Sequence, residues 1–261
     1  MTSPSSSTFL AEAPSGRHCA QFHRDSNSFT DSAYAFLEAG IRRGQAVIVI
    51  AGRDRTDGLL DRLTKNRFHP TALCNSGQLG VMNAATILEE CTGSGMPEWG
   101  RFRGTLLPML SRMQSHGRGT RVYSELASAL WQDGSTDAAV RLEELWNALA
   151  ASVQFALYCG YAMDTHSEES YAGPLEELGR THSDILATPE DEQFGVALDR
   201  ASKEIFGISL TQMAGVSRQD GARRFPSGQR AMLWVKRNLP MSTAQLAERA
   251  RHYYREDGSR S

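Results

Sequence analysis

Histidine, cysteine and glutamate side chains near predicted strands are the residues of this sequence that could perform chemistry. His18, Cys19 and His23 lie in one short apolar run, and Cys159 lies in another. A cysteine beside a histidine can act as a nucleophile, and both residue types bind zinc or iron. His18 and His23 point to opposite faces of a strand, because their separation is odd. Glu125 joins His18 and Cys159 if their strands lie side by side with their ends together.

A small-molecule pocket is favoured over catalysis and over a metal. A buried strand cysteine usually behaves as a small hydrophobic residue, and a pocket needs only a few polar groups among aromatic ones. We expect no cofactor; a metal on His18, Cys159 and Glu125 is the weaker alternative. The tryptophans of this set could also be ordinary core residues. The expected ligand-binding residues are His18, Cys19, Glu125, Trp131, Trp146, Cys159 and Tyr161.

Signatures of nucleotide and acyl-transfer enzymes are missing from the sequence. The turn AGRDRT at 51–56 has one glycine and no lysine, whereas a Walker A loop needs G-x-x-x-x-G-K-[ST]. Neither G-x-G-x-x-G nor the G-x-S-x-G elbow of hydrolases occurs. We therefore predict that the protein is not an enzyme.

Hydrophobic periodicity predicts an α/β domain at 17–165. Strand-like runs at 18–23, 45–51, 72–74, 120–126 and 153–161 alternate with amphipathic helical segments. This alternation is typical of a three-layer fold with a mostly parallel sheet. Ligands of such folds bind off the carboxyl ends of strands, which is where Glu125, Cys159 and Tyr161 occur.

The flanking segments have different compositions. Residues 1–16 are rich in Ser, Pro and Ala and are predicted to be a disordered lead-in. Residues 166–173 read as a polar linker. Residues 174–261 show only helical patterns, including helices at 227–238 and 242–255, and are predicted to form an all-α region.

The C-terminal region is basic although the chain is not. The net charge is −2 overall, but residues 218–261 hold ten Lys and Arg against four Asp and Glu. Such asymmetry marks a contact surface for an acidic partner. The two helices could form a helix-turn-helix that reads DNA, but a hairpin that packs or contacts a protein partner is favoured. The candidate contact residues are Lys236, Arg237, Gln245, Arg249 and Arg251.

The cysteines and the absence of a targeting pattern indicate the cytoplasm. The four cysteines form no C-x-x-C pair, and the first residues lack an apolar signal core. No apolar run reaches the roughly 20 residues that cross a bilayer. We expect reduced thiols, no membrane contact and a homodimer.

Several short motifs, in order, carry a family resemblance. They are His18 with Phe22, LEAGIRRGQ at 37–45, YSE at 123–125, ALW at 129–131, LEELWN at 142–147 and LYCGY at 157–161. Together they resemble the MEDS domain, named for methanogens, methylotrophs and the sensory domain of the dichloromethane-dehalogenase repressor. The resemblance implies a RecA/KaiC-like core without a phosphate loop that senses small molecules, with hydrocarbon derivatives proposed as ligands.

The resemblance also assigns residues and an output. The family's histidine, glutamate and cysteine fall on His18, Glu125 and Cys159, whereas Ser124 and Ala162 stand where the family often has Gly and Pro. Family members occur beside histidine kinase or DNA-binding modules. We therefore expect a cytoplasmic signal-transduction protein that senses a small molecule and signals through its helical region. The alternative is a transcription regulator that reads DNA through its basic helices.

Overall fold

A computed structural model describes residues 6–114, 118–171, 173–214 and 224–258. The chain forms two compact units. The first unit comprises the chain up to Ala20 together with Asp25–Ala162, and the second comprises Gln21–Arg24 and the chain from Met163 onward. Among the helices described, none combines the length and the apolar character that a membrane crossing requires.

Helices and strands alternate along the first unit, as the sequence pattern predicts. In chain order they are α1 (Ser6–Glu12), β1 (His18–His23), α2 (Ser26–Arg42), β2 (Ala46–Ala51), α3 (Arg53–Lys65), α4 (Pro70–Asn75), β3 (Leu79–Asn83), α5 (Ala84–Cys91), β4 (Thr92–Gly93), β5 (Met96–Pro97), α6 (Trp99–Gln114), β6 (Thr120–Ser124), α7 (Leu126–Gln132), α8 (Thr136–Ala150) and β7 (Ala156–Ala162).

The second unit is mostly helical. Its elements are a 3-10 turn (Glu168–Tyr171), α9 (Leu175–Thr181), β8 (Asp184–Leu186), α10 (Pro189–Phe206), α11 (Leu210–Ala214), α12 (Ser227–Asn238), a second 3-10 turn (Pro240–Ser242) and α13 (Thr243–Gly258). Helix α10 packs against α12 and α13. The two predicted basic helices therefore exist, and α12 has the predicted bounds.

A six-stranded parallel sheet has the strand order β3-β2-β6-β7-β1-β8. β2 pairs in parallel with both β3 and β6, and β6 pairs in parallel with β7. The last residues of β1 belong to the second unit, where β8 lies beside them. Parallel strands are covered on both faces, and every residue of β2 and β6 is buried. The α/β class with a parallel sheet is confirmed.

The two faces of the sheet hold different side chains, because successive strand residues point to opposite sides. Tyr123 and Tyr158 lie on the face covered by α2, where the Tyr158 ring is 5.3 Å from that of Phe36. Cys159, the next residue of β7, lies on the other face and contacts Glu143 of α8. Helices on both faces are consistent with three layers.

The disordered lead-in predicted for residues 1–16 is wrong from Ser6 onward; residues 1–5 lie outside the described part. Phe9 and Leu10 of α1 are buried, and the Phe9 ring stacks 6.2 Å from that of Phe36. The Arg121 guanidinium donates hydrogen bonds to the carbonyls of Leu10 and Ala11. These contacts with residues far along the chain order a segment whose composition alone indicates disorder.

Two shorter segments also differ from prediction. The strand expected at 72–74 is helix α4, which begins at Pro70, a residue favoured in a first helical turn. The strand that adds to the sheet is β3, further along the chain. The polar linker expected at 166–173 includes a 3-10 turn anchored by buried Tyr171, whose hydroxyl donates to the Thr165 carbonyl at 2.7 Å; residue 172 lies outside the described part.

The C-terminal region is not purely helical as predicted, because it contains β8. This strand has only three residues, Asp184–Leu186, and all of them are buried. The Gln21 side chain donates to the carbonyl of Ala187, which follows the strand. A run this short carries no periodic signal, so only its pairing partner reveals it.

Candidate functional site

A polar cleft of about 390 Å³ opens at the carboxyl ends of β2 and β6. It is the position at which parallel α/β sheets bind ligands. We call it the Glu125 cleft. Its lining residues are Ser26, Thr30, Gly52, Arg53, Asp54, Arg55, Gly58 and Glu125.

The Glu125 carboxylate is the centre of this cleft. One of its oxygens accepts hydrogen bonds from the Tyr123 hydroxyl at 2.6 Å and from the Arg55 Nε at 3.0 Å. The side chains of Glu125 and Arg55 are only 16% and 14% exposed. Burial raises the pKa of the Glu125 carboxyl, while Tyr123 and Arg55 act in the opposite direction. The cleft thus holds an ion pair largely shielded from water.

Arg55 is held in place from several sides. Its guanidinium donates to the Ser26 carbonyl at 2.9 Å and to the Thr30 hydroxyl. The same group lies 4.0 Å from the centre of the Phe29 ring, a cation–π distance. Arg55 is 70 residues from Glu125 in sequence, so no local spacing connects the two. The turn after β2 therefore supplies a partner for Glu125 rather than a phosphate loop.

A second polar cluster lies on the opposite face of the sheet. His18 Nε2 is 3.1 Å from Glu143 Oε2 and 3.4 Å from Cys159 Sγ, and Cys159 Sγ is 3.5 Å from the same glutamate oxygen. The Tyr161 hydroxyl donates to the other oxygen of Glu143. All four residues are buried. We call these four residues the His18 cluster.

The His18 ring has a defined orientation. Its Nδ1 lies 3.0 Å from the Asn147 side-chain oxygen. Because an amide oxygen can only accept, Nδ1 carries the proton and donates it. In the neutral ring Nε2 is then the unprotonated nitrogen, and its lone pair faces Glu143 and Cys159. Burial raises the pKa of the Cys159 thiol well above its ordinary value, and Glu143 raises it further.

The predicted residues do not form one site. Glu125 bonds to Tyr123, which lies on the α2 face, whereas His18 and Cys159 meet on the α8 face. The weaker alternative of a metal on His18, Cys159 and Glu125 is therefore contradicted. Their strands are neighbours in the sheet, but successive residues of a strand point to opposite faces, so the three side chains need not meet.

Glu143, like Arg55, is a site residue that the sequence pattern does not single out. It lies in LEELWN at 142–147 and is completely buried. Glu143 and Asn147 are four residues apart, so they share one face of α8. Because Trp146 and Leu149 of the same helix are also buried, the sequence signal was a glutamate within the apolar half of an amphipathic helix.

The aromatic residues and Cys19 lie elsewhere. Trp146 is a core residue rather than a cleft residue, because its ring packs edge-on against Phe102 at 5.0 Å and Phe155 at 5.8 Å. Trp131 is half-buried near the end of α7, and Cys19 is fully buried in β1. Tightly packed rings of this kind stabilise the fold.

The candidate contact residues of the second unit are partly neutralised. Arg249 forms two hydrogen bonds of 2.7 Å with the Glu204 carboxylate, and Arg237 pairs with Glu176. Gln245, Arg249 and Arg251 line an open cavity of about 800 Å³ together with acidic side chains. Lys236 is exposed. These pairs reduce the positive charge that α12 and α13 can offer to an acidic partner.

Gly160 of β7 lies against Phe29 and Tyr123, the two aromatic residues that contact Arg55 and Glu125. A Cβ at this position would lie 2.1 Å from the Phe29 ring and 3.2 Å from the Tyr123 hydroxyl. We expect Gly160→Ala to lower the free energy of unfolding by about 1–3 kcal/mol, because the extra methyl displaces Phe29 from beneath Arg55. Urea denaturation measures this change. The control is Gly104→Ala in α6, where an added Cβ meets open space and is expected to be neutral or stabilising. Equal stability of the two variants would contradict the prediction.

Comparison with known proteins identifies the family. The model of the MEDS family, the MEthanogen/methylotroph, DcmR Sensory domain, matches residues 17–183. A search among curated proteins finds no match. The family match covers more than half of the chain and confirms the resemblance seen in the sequence motifs. The chain belongs to the MEDS family of sensory domains.

Proposed function

We propose that this protein senses a small polar molecule in the Glu125 cleft and transmits its presence to the helical second unit. The observation that carries the proposal is the shielded Glu125–Arg55 ion pair within a cleft at the carboxyl ends of two parallel strands. Ion pairs shielded from water interact more strongly than exposed ones. A ligand that bonds to either partner therefore changes an interaction of substantial strength.

The cleft favours a compact ligand with a polar group. A volume of about 390 Å³ lies in the lower part of the range for ligand pockets. Arg53 and Arg55 offer donors, and Asp54 and Glu125 offer acceptors. A short hydrocarbon derivative that carries a hydroxyl, carbonyl or carboxyl group fits these donors and acceptors. We propose binding without a chemical step, so the protein is not an enzyme.

The cleft residues are joined directly to helix ends. Arg55 lies in the first turn of α3, and Glu125 immediately precedes α7. A ligand that binds one state of the pair better than the other shifts the balance between the two states. We propose that this shift reaches a regulatory protein partner through the second unit in a cytoplasmic homodimer. The RecA/KaiC-like ancestry is part of the same proposal, supported by the parallel sheet and the degenerate turn after β2.

Loss of the Glu125 charge is expected to weaken ligand binding. We would test short-chain alcohols, aldehydes and carboxylic acids one by one, and we expect the class that binds to raise the thermal midpoint of the wild-type protein. A ligand at 100 times its Kd adds about 2.7 kcal/mol of stability. Glu125→Gln keeps the shape but removes the charge, and we expect about 10- to 100-fold weaker binding of that class. Differential scanning fluorimetry and calorimetric titration measure both effects.

A surface glutamate provides the matched control. Glu38→Gln alters a pair on α2 with Arg42, whose side chain is mostly exposed, and this variant is expected to bind the ligand as the wild type does. Unchanged affinity in Glu125→Gln, or no stabilisation by any compound class, would contradict the proposal.

DNA recognition by the basic helices is the alternative function. It is supported by the charge excess at 218–261 and opposed by the ion pairs of Arg237 and Arg249. A gel shift at low salt that weakens with added salt and disappears in the double variant Arg249→Ala, Arg251→Ala would favour it. Absence of binding at low salt would leave the protein partner as the output.

A further inference from the structure

We propose that the His18 cluster is a binding site for a divalent transition-metal ion, with zinc as the best match. The donors are His18 Nε2, one oxygen of Glu143 and Cys159 Sγ. This site is separate from the Glu125 cleft, and the proposal does not depend on ligand sensing there.

The spacing of the three donor atoms supports a metal ion between them. Their separations are 3.1, 3.4 and 3.5 Å. The point equidistant from three atoms so placed lies about 1.9 Å from each, and a small displacement out of their plane gives the roughly 2.0–2.3 Å of zinc bonds to nitrogen, oxygen and sulfur. The cluster therefore needs little rearrangement to hold the ion.

The donor set matches zinc chemistry. An imidazole, a carboxylate and a thiolate are the three protein ligand types that zinc uses, usually in a tetrahedron. Hard cations such as Mg²⁺ and Ca²⁺ favour oxygen donors and do not suit a thiolate. When the ion binds, the Cys159 S–H bond is replaced by an S–metal bond, and the proton passes to solvent.

A neighbouring residue already orients the metal-binding histidine. Asn147 accepts the Nδ1 proton of His18, as carbonyl or carboxylate groups do for most metal-bound histidines. This hydrogen bond directs the Nε2 electron pair toward Glu143 and Cys159. Tyr161 similarly holds the Glu143 oxygen that is not directed at His18. Asn147 and Tyr161 are positioning residues in this arrangement.

The arrangement also explains why a glutamate is buried on an apolar helix face. The Cys159 thiol donates to a Glu143 oxygen at 3.5 Å, and the same oxygen lies 3.1 Å from His18 Nε2, so the three groups converge on one point. Such convergence is stabilised by a proton or by a cation between the groups. A divalent ion neutralises the glutamate and the thiolate together, because its two charges balance theirs.

Cobalt substitution of the full-length protein tests the site. We expect the wild-type protein to bind one Co²⁺ or Zn²⁺ per chain by native mass spectrometry, and the Co²⁺ form to show a sulfur-to-cobalt charge-transfer band. Cys159→Ser should remove the band and weaken zinc binding at least about 100-fold in competition with a chelator. Asn147→Leu should weaken binding about 10- to 100-fold but keep the band.

Cys91→Ser is the matched control, because Cys91 is also buried in the first unit but lies in α5; it should retain both the band and the affinity. X-ray absorption of the wild-type zinc form, expected to show one sulfur among nitrogen and oxygen donors, decides the question even if Cys159→Ser does not fold. Absence of a bound metal and of the band in the wild type would overturn the proposal. A band that persists in folded Cys159→Ser would overturn it as well.

Discussion

Replacing Arg121 with methionine is expected to destabilise the first unit by about 3 kcal/mol or more. The Arg121 side chain is completely buried in β6. Its guanidinium donates to the carbonyls of Leu10 at 2.8 Å, Ala11 at 2.8 Å and Phe36 at 3.2 Å, and to the Gln45 side chain. Methionine fills similar space but leaves these acceptors without their donor, and buried unsatisfied groups are costly.

The charge of Arg121 persists despite its burial. Burial lowers the pKa of the guanidinium to about 10, so the group is still protonated near pH 7. Its loss should release α1 first, because two of its acceptors lie in that helix. We therefore expect faster proteolysis near Ser6–Glu12 in addition to a lower urea midpoint.

An exposed arginine serves as the control for this substitution. Arg141 pairs with Glu144 one turn along α8, and both side chains are about half exposed. Arg141→Met should change stability by less than about 1 kcal/mol. If Arg121→Met were equally mild and α1 stayed protected, the Arg121 contacts would not be what orders the N-terminal helix.

Mild acid is expected to destabilise the second unit through His166. Its ring is buried, stacked 3.8 Å from Phe194 and 4.8 Å from Tyr254. Burial lowers the pKa of His166 from 6.5 to about 3, and Arg24 adds to this effect. Between these pH values the unfolded chain binds a proton that the folded unit does not, so stability falls as pH falls.

The expected loss is large enough to measure. From pH 7 to pH 5 the His166 contribution decreases by about 2 kcal/mol, since each unit of pKa difference corresponds to about 1.36 kcal/mol. Urea denaturation at each pH, followed with a probe that reports on the second unit, gives the slope. His166→Phe keeps an aromatic ring between its neighbours but cannot be protonated, and it should flatten the slope over this range.

His252 provides the comparison for acid sensitivity. It is exposed and lies 3.2 Å from Glu256 on the same helix. His252→Phe should leave the slope of the wild-type protein in place. A wild-type slope that survives in His166→Phe would show that other groups, and not this stacked ring, cause acid instability.

Most helices and strands of this protein are determined by local pattern. The β-branched run of β2 and the apolar face of α2 are visible in the sequence because burial imposes a period on each element. Helix α12 begins and ends as predicted for the same reason. The short segments α1, β8 and the turn at Tyr171 carry no such period, so the sequence pattern does not reveal them. Helix α1, for example, is ordered by contacts with Phe36 and Arg121 far along the chain.

The sequence by itself determined the fold class, the family and the residue types available for function. His18 and Cys159 stand out because they lie within buried strands, and Glu125 because it directly follows one. Only the tertiary structure decided which of them meet. The sheet separates Glu125 from the other two, because neighbouring residues of a strand point to opposite faces. The partners that complete the two sites, Arg55 and Glu143, lie in helices. No local sequence pattern shows that these helices pack next to Glu125 and to His18 and Cys159.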